Sequence, residues 1–547
     1  MATRLVNFIG LLLVFLLTQL TVGQSTALGA VINVAEFGAQ GDGSRDATAL
    51  IQAAINQANS GDIVFIPDGI YKVSSSLTLK SDIKISGQSQ DNSIILFTGQ
   101  SSHSLLSLSS VSNVEVTLLT LDGNMGDVAN AIFAENGQGH KLHHLTIKNL
   151  VHNGFGPHGI LFSGNASWQK SVTHSVVADN NFFNIGVDSQ WGAALRLANG
   201  ASHNQVSRNI IKDTGRGGIL ANQGSTDLII RENHISGIGQ TAEGLSIELH
   251  TECNRAVVED NTVDHWISLD KTNYSAVRRN IITSDKLTDW KYAALELAGG
   301  TNNVFTDNVV DGGTKTGISI STNYPKEFVF WSRNTIKHAA DWGAQLQGES
   351  QGLSYQYFYK NEFSNTYRDH TQSTYPDQGH GFRVNGNSHH IILEANIIKD
   401  NQGLGIQFNG ADIDQFTIIN NRITGNKQAA VSSYPGKDLL WSNNSVSDTA
   451  PASSGFINNS LPFADFSSKS KVKVNTPLKF NNASVSQDEA RSIKHVLWDF
   501  GEGIPSSESS PTYTYNKAGT YVVTLIVWDD KGSAARKEKI LTIMPRA

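Results

Sequence analysis

GLSIELHT, from Gly244 to Thr251, alternates apolar and polar side chains along its length. A strand with that period of two turns Leu245, Ile247 and Leu249 to one face and Ser246, Glu248 and His250 to the other. A glutamate and a histidine side by side on the open face have no packing role to fill. Related segments stand on both sides: GILFSG, ALRLANG and GILANQG before it, and ISLDKT, ALELAGG, GISIST, AQLQGE, FRVNG and IQFNG after it. A second marker runs between them, an Asn followed by a short, mostly apolar pair, at Asn181, Asn209, Asn233, Asn261, Asn280, Asn308, Asn334, Asn361, Asn396 and Asn421. The intervals run from 19 to 35 residues, the period of a solenoid coil. One coil cannot bury its apolar residues alone, so the coils must stack around a shared core. Asn at a fixed coil position predicts a turn of left-handed backbone, with side-chain amides bonded along the stack.

The 547 residues exceed what a single compact core fills, in keeping with an elongated repeat. A net charge of -7 with 17% charged residues leaves no basic footprint for nucleic acid. Cys253 is the one cysteine, so no intrachain disulfide forms, and a buried, inert thiol is expected there. Residues 1–24 place Arg4 before the apolar run FIGLLLVFLLTQL, the pattern of a secretory signal peptide rather than a membrane span. No second apolar run follows. The expectation is a secreted monomer, bacterial and extracellular or periplasmic, with no membrane or nucleic-acid partner.

Near the start, VINVAEFGAQGDGSRDATALIQAAINQA (Val31 to Ala58) reads as strand, turn and a helix over Asp46 to Ala58 with Leu50, Ile51, Ala54 and Ile55 on one face. GDIVFIPDGIYKV (Gly61 to Val73) follows as strand, Pro-Asp-Gly turn and strand. This combination resembles the opening of the pectate-lyase-like superfamily. The resemblance implies an all-β fold, a right-handed parallel β-helix over residues 31–450 whose end the N-terminal helix caps. It does not fix an activity, because hydrolases, lyases, epimerases and phage tailspikes share that opening. A Ser/Pro/Asn-rich linker is expected at 451–463 and a separate unit at 464–545. WDFGEG (Trp498 to Gly503) and PTYTYNKAGTYVVTLIVWDDKGS (Pro511 to Ser533) in that unit resemble a PKD domain, a small immunoglobulin-like β-sandwich. The resemblance implies a spacer or a weak glycan contact.

Aligned on their shared strand, the coils present Leu161, Arg196, Leu220, Glu248, Ser268, Glu296, Ser319, Gln345, Arg383 and Gln407 in one outward column. Two residues on, His250 and Asp270 are neighbours in a parallel column, at a rung spacing of about 4.8 Å. Glu248 and Glu296 lie two rungs apart, about 10 Å between backbones. Turns before these strands carry Trp191, Arg216, Glu243, His265, Tyr292, Trp342 and His380. The longest interval holds TYRDHTQSTYPDQGHG (Thr366 to Gly381), a polar and aromatic insertion of the kind that walls a binding site. Aromatic rings stack on sugars and polar groups read hydroxyls, so this face suits a carbohydrate. The candidate catalytic residues are Glu248, His250, Asp270 and Glu296. The candidate substrate-binding residues are Arg196, Trp191, Arg216, His265, Tyr292, Gln345, His380 and Arg383.

Hydrolysis of a glycosidic bond needs a proton donor and a second carboxylate, which Glu248 and Glu296 supply. The arginines point to an anionic or sulfated polysaccharide. The alternative is a polysaccharide lyase or uronate C5-epimerase, with His250 as base and Arg196 or Arg383 neutralising the sugar carboxylate. A third reading is a glycan binder without catalysis. HNGFGPHG (His152 to Gly159) is similar to the Asp-Pro-His-Asp motif of β-helix mannuronan epimerases, with Gly156 and Gly159 in place of both acids; a turn packing Phe155 and Pro157 is expected there. No cofactor or metal site is expected. DGNMGD (Asp122 to Asp127) is acidic enough for calcium but lacks the ligand spacing of a calcium loop.

Overall fold

The aliphatic residues between the outward positions stack from coil to coil. Leu195, Ile219, Ile247, Ile267, Leu295 and Ile318 pair in register across six successive strands, and each is fully buried. Burying one such side chain contributes roughly 1.5–3 kcal/mol, so the column is a large share of what holds the coils together. The computed structural model describes residues 29–447 and 461–546, apart from 166, 168–169, 240–243, 284–292, 313, 322–323, 349–351 and 369–377. The expected signal peptide, most of the expected linker, Glu243 and Tyr292 lie outside the described residues.

Thirteen parallel strands form one sheet, from Leu77–Thr78 at one end to Ile406–Asn409 at the other. A second, thirty-stranded parallel sheet makes the remaining sides of the coil. Together they enclose one core that runs from Ile32 to Leu439. The helix covers Thr48–Gln57, shorter at both ends than the sequence reading, and buries Ile51, Ala54 and Ile55 against that core. Its Gln52 carries out a specific edge repair. Gln52 Oε1 accepts the Thr78 N–H at 2.8 Å and its Nε2 donates to the Thr78 carbonyl at 3.0 Å, so the first strand of the smaller sheet has no open edge there.

The repeated asparagines form a continuous buried ladder. Each accepts, through Oδ1, the backbone N–H and the side-chain Nδ2 of the Asn one rung earlier; for Asn280 these bonds to Asn261 measure 3.1 and 2.9 Å. Asn280 Nδ2 also donates to the Val258 carbonyl at 3.0 Å and to Asn308 Oδ1 at 3.0 Å. Two details differ from the sequence reading. The ladder passes through Asn180, not Asn181, which instead pairs with Ile210 inside a strand. The left-handed residue is the one before each ladder Asn, as at Arg208, Asp260, Arg279 and Asp307. That division has a physical reason: the left-handed residue turns the chain and points its side chain out, so the next side chain falls inside, where only a short amide satisfies both neighbouring rungs.

The C-terminal unit is an antiparallel sandwich. Its main sheet joins Ile493–Asp499, Gly519–Asp529 and Ala534–Met544, with Lys471–Lys473 at the edge. Phe466, Phe480, Trp498, Phe500 and Tyr515 fill its own core. A separate apolar cluster joins it to the β-helix, with Phe330, Tyr357 and Ile392 on one side and Leu497, Ile526 and Trp528 on the other.

Replacing Asn280 by Ala strands buried donors and acceptors on both neighbouring rungs. The expected loss is about 2–4 kcal/mol, read as a lower urea midpoint with unchanged slope. A change under about 0.5 kcal/mol would show that the ladder is incidental to stability.

Candidate active site

Pairing in the thirteen-stranded sheet places Leu161, Arg196, Leu220, Glu248, Ser268, Glu296, Ser319, Gln345, Arg383 and Gln407 in one column, in the register read from the sequence. Asn222, His250 and Asp270 follow in the neighbouring column. The start of the Leu245–His250 strand departs from simple alternation. Leu245 pairs with Trp266 and Ile247 with Ile267, so Ser246 is an extra residue, a bulge. Ser246 is fully buried, whereas Leu245 joins Ala193, Leu220, Trp266 and Ala293 in an apolar cluster separate from the main core. The sequence reading had these two faces reversed. Bulges re-aim side chains beside active sites, and this one sits two residues before Glu248.

Glu248 stands next to one member of that cluster. Leu220 is its lateral neighbour in the column, and burial pushes the Glu248 carboxyl above its ordinary value of 4.5. Arg216, His250 and Arg196 pull the other way and are outweighed. Glu296, two rungs on, lies in a different setting: the Ser268 hydroxyl donates to Glu296 Oε2 at 2.7 Å, which draws that carboxylate toward the intervening rung. The two acids therefore share a column and differ in environment.

His250 and Asp270 are in direct contact, with Nε2 3.0 Å from Asp270 Oδ2. The other ring nitrogen, Nδ1, is 3.0 Å from the Thr251 hydroxyl. The bond to Asp270 raises the His250 pKa above 6.5, burial opposes it, and Glu248 adds to the rise. Behind Asp270 lies Lys326, 1% exposed, whose Nζ has no hydrogen-bond partner among the described residues. Burial brings that ammonium down to about 8, and the Asp270 charge partly offsets the fall. Cys253, just past this strand, donates to the His250 carbonyl at 3.3 Å; burial pushes its thiol up to about 12, leaving it inert.

Three arginines lie on aromatic rings along the same wall. Arg196 sits 4.2 Å above Phe155, Arg216 5.8 Å from Trp191, and Arg383 4.9 Å from Trp342. Phe155 and Trp191 are themselves 5.1 Å apart, and both are exposed, at 53% and 37%. Phe155 is thus not packed into its turn as the sequence led us to expect; only Pro157 is buried. Burial brings Arg196 down to about 10, with Glu248 opposing. Under Phe155, His158 is buried, with Nδ1 held 3.1 Å from Asn130 Oδ1; burial pushes it down to about 3, so it stays neutral.

Other candidates do not reach the open face. His265 is 1% exposed, packed against the backbone of Gly244, and its Nδ1 accepts the Trp266 N–H at 3.2 Å. His380 is equally buried and its Nδ1 accepts the Leu404 N–H at 2.8 Å. Both brace the wall from within, so neither is placed to contact a substrate. Gln345 holds its column position but is 4% exposed. In DGNMGD, Asp122 is engaged by Asn124, Asn149 and Lys148, and Asp127 by His152. Among the described residues no group of three or more His, Cys, Asp or Glu side chains is arranged to hold a metal ion.

Trp266 and Lys326 were missed in the sequence, and Phe155 was read as packed into its turn. Alternation gives no signal for Trp266, which opens a strand directly after a turn. Lys326 lies in a two-residue strand between the longer coil strands, too short for alternation to mark.

Fold and face together define a parallel β-helix that presents carboxylates, arginines and aromatic rings from one sheet. Residues 31–113 match the family model described as rhamnogalacturonase A/epimerase, pectate lyase-like; 266–449 match the right handed beta helix region; and 459–544 match the PKD domain. These matches support a right-handed parallel β-helix, pectate-lyase-like at its N-terminal end, followed by a C-terminal PKD domain. It is similar to mannuronan C5-epimerase AlgE3 of Azotobacter vinelandii, 28% identical over 236 residues, which is 36% of this chain and 12% of that one. It is also similar to a microbial collagenase of Vibrio alginolyticus, 31% identical over 117 residues, 21% of this chain and 14% of that one. The chain thus spans less than a sixth of the length of either relative. The N-terminal fragment of bacteriophage Phi29 gene product 12 shares the fold, with a TM-score of 0.53 and 14% identity over 77% of this chain and 71% of that one.

With the His250 pKa raised, the stabilisation from its pair with Asp270 is fully present below the unfolded-state value and is lost as pH rises through the folded-state value. Asp270→Asn removes the acceptor charge, and the His250 ring is then expected to titrate at a lower pH in an NMR titration. An unchanged pKa would show that Asp270 is not what holds the proton.

Proposed function

We propose that this protein is a secreted polysaccharide-degrading enzyme that hydrolyses glycosidic bonds with Glu248 as general acid and Glu296 as the second carboxylate. The observation that carries this reading is the placement of two acids in one outward column, one desolvated and one hydrogen-bonded by Ser268. A carboxyl that keeps its proton above the usual range serves as the donor, and an ionised partner activates water or attacks the sugar. Backbones about 10 Å apart leave room for water between the acids, the arrangement of inverting enzymes. Arg196 and Arg216, beside the exposed rings of Phe155 and Trp191, and Arg383 in the same outward column support an anionic or sulfated substrate, since a guanidinium pairs with an anionic group. His250, charged through Asp270, tunes Glu248 in this scheme. Export by an N-terminal signal is part of the same proposal, and no helix among the described residues is long and apolar enough to cross a membrane.

One observation favours a second reading. The similarity to a mannuronan C5-epimerase extends over 236 residues, and His250, with Arg196 or Arg383 on the same sheet face, supplies a base with a cation for a uronate carboxylate. On that chemistry His250 takes the C5 proton beside the carboxylate; C5 then either takes a proton from water on the opposite face, which inverts it, or the C4–O bond breaks as a C4–C5 double bond forms and the departing oxygen takes up a proton.

Incubation with neutral, uronic and sulfated polysaccharides, following reducing ends together with the ultraviolet absorbance of unsaturated ends, separates the two readings. Hydrolysis gives reducing ends alone. Glu248→Gln is then expected to lower kcat by about 10²–10⁴, and wild-type activity to fall as pH rises through the raised Glu248 pKa. Unsaturated ends, or a changed uronate composition without new ends, would overturn the hydrolase reading in favour of His250 chemistry.

A further inference from the structure

The strands that leave the cleft sheet continue, after one turn, into the larger sheet. There Ala276, Val304, Phe330, Tyr357 and Ile392 stand in one register column over five consecutive rungs. All five are buried, and they form an apolar cluster with Leu497, Ile526, Trp528 and Ala534 of the PKD domain. An apolar outward column of this length is a patch that a free β-helix would expose to water. Polar contacts pin its two ends. At one end Arg278 Nη2 is 2.6 Å from Asp499 Oδ1, both side chains 1% exposed, and Arg278 Nη1 donates to the Gly503 carbonyl. The WDFGEG turn of the PKD domain is therefore occupied by an arginine of the β-helix. At the other end Arg536 is bidentate to Glu394, at 3.0 and 3.1 Å, and lies 3.1 Å over Tyr359. Between them His495 Nε2 is 2.7 Å from Asn302 Oδ1, and its ring stacks 3.8 Å from Phe328.

These five rungs are the ones whose cleft strands carry Asp270, Glu296, Ser319, Gln345 and Arg383. We propose that the PKD domain is a fixed lateral brace of the β-helix, packed behind the C-terminal half of the candidate cleft, and that it holds those rungs in register. It is not a tethered spacer. The face of its main sheet formed by Leu497, Ile526 and Trp528 is spent on this contact and is closed to glycan. A buried ion pair with one partner removed is strongly destabilising, because the other charge is left desolvated. The inference goes beyond the reaction assigned to the cleft and does not depend on it.

Calorimetry and hydrogen exchange on the full chain test it. The brace predicts a single coupled thermal transition, lowered by about 3–5 °C in Arg278→Ala and in Trp528→Ala. Exchange should rise across the interface: in the PKD strand Ile493–Asp499 for Arg278→Ala, and in the β-helix strands Val329–Ser332 and Leu353–Tyr359 for Trp528→Ala. Trp528 lies outside the PKD domain's own core cluster, so a variant that still folds that core isolates the contact. Two independent transitions, with each substitution felt only in its own domain, would overturn the brace and restore the spacer.

Discussion

From Asn180 to Asn444 the coils are tied rung to rung by one hydrogen-bonded column, the asparagine ladder. Each amide is satisfied only if the rungs above and below stand in register, so the ladder couples the coils in a way apolar stacking does not. Aliphatic columns already resist a slip of one residue, which would turn every apolar side chain outward. An amide with four fixed partners adds a directional condition that methyl groups cannot impose. The ladder is thus the register mark for the strands, and the strands carry that register round to the outward face, where Glu248 meets Ser268 and His250 meets Asp270.

Each rung serves two surfaces. Its first strand supplies one residue to the cleft column, and its next strand supplies one to the opposite side. Over five rungs that opposite side is apolar and covered by the PKD domain. Desolvation thus acts twice. On the outward column it raises the pKa of Glu248, whose lateral neighbour is Leu220. On the docked side it makes the Arg278–Asp499 pair a strict requirement, since neither charge has water to turn to.

Much of this was legible in the sequence. The spacing of Asn209, Asn233, Asn261 and Asn280 announces the coil, and alternation in GLSIELHT and its relatives is enough to put Glu248, Ser268 and Glu296 in one column. Alternation fails where strands begin, because the chain enters from a turn with two consecutive residues facing inward. That is why Ser246 and Leu245 exchange faces. Residue type misleads at His265 and His380, which look like cleft histidines and are wall braces, since a side chain's depth depends on the turn beside it. The PKD contact was hidden for another reason. Phe330, Tyr357 and Ile392 are 27 and 35 residues apart in sequence, and their column exists only after the rungs are stacked.

A sheet built this way quantises geometry. Two outward side chains in one column stand a whole number of rungs apart, and a rung is about 4.8 Å. Neighbouring rungs match the separation at which a carboxylate attacks a sugar directly, and rungs two apart leave space for a water molecule. Inserting or deleting one complete coil between Glu248 and Glu296 would therefore change their separation by a whole rung without altering either residue. Divergence on this scaffold can proceed by counting coils.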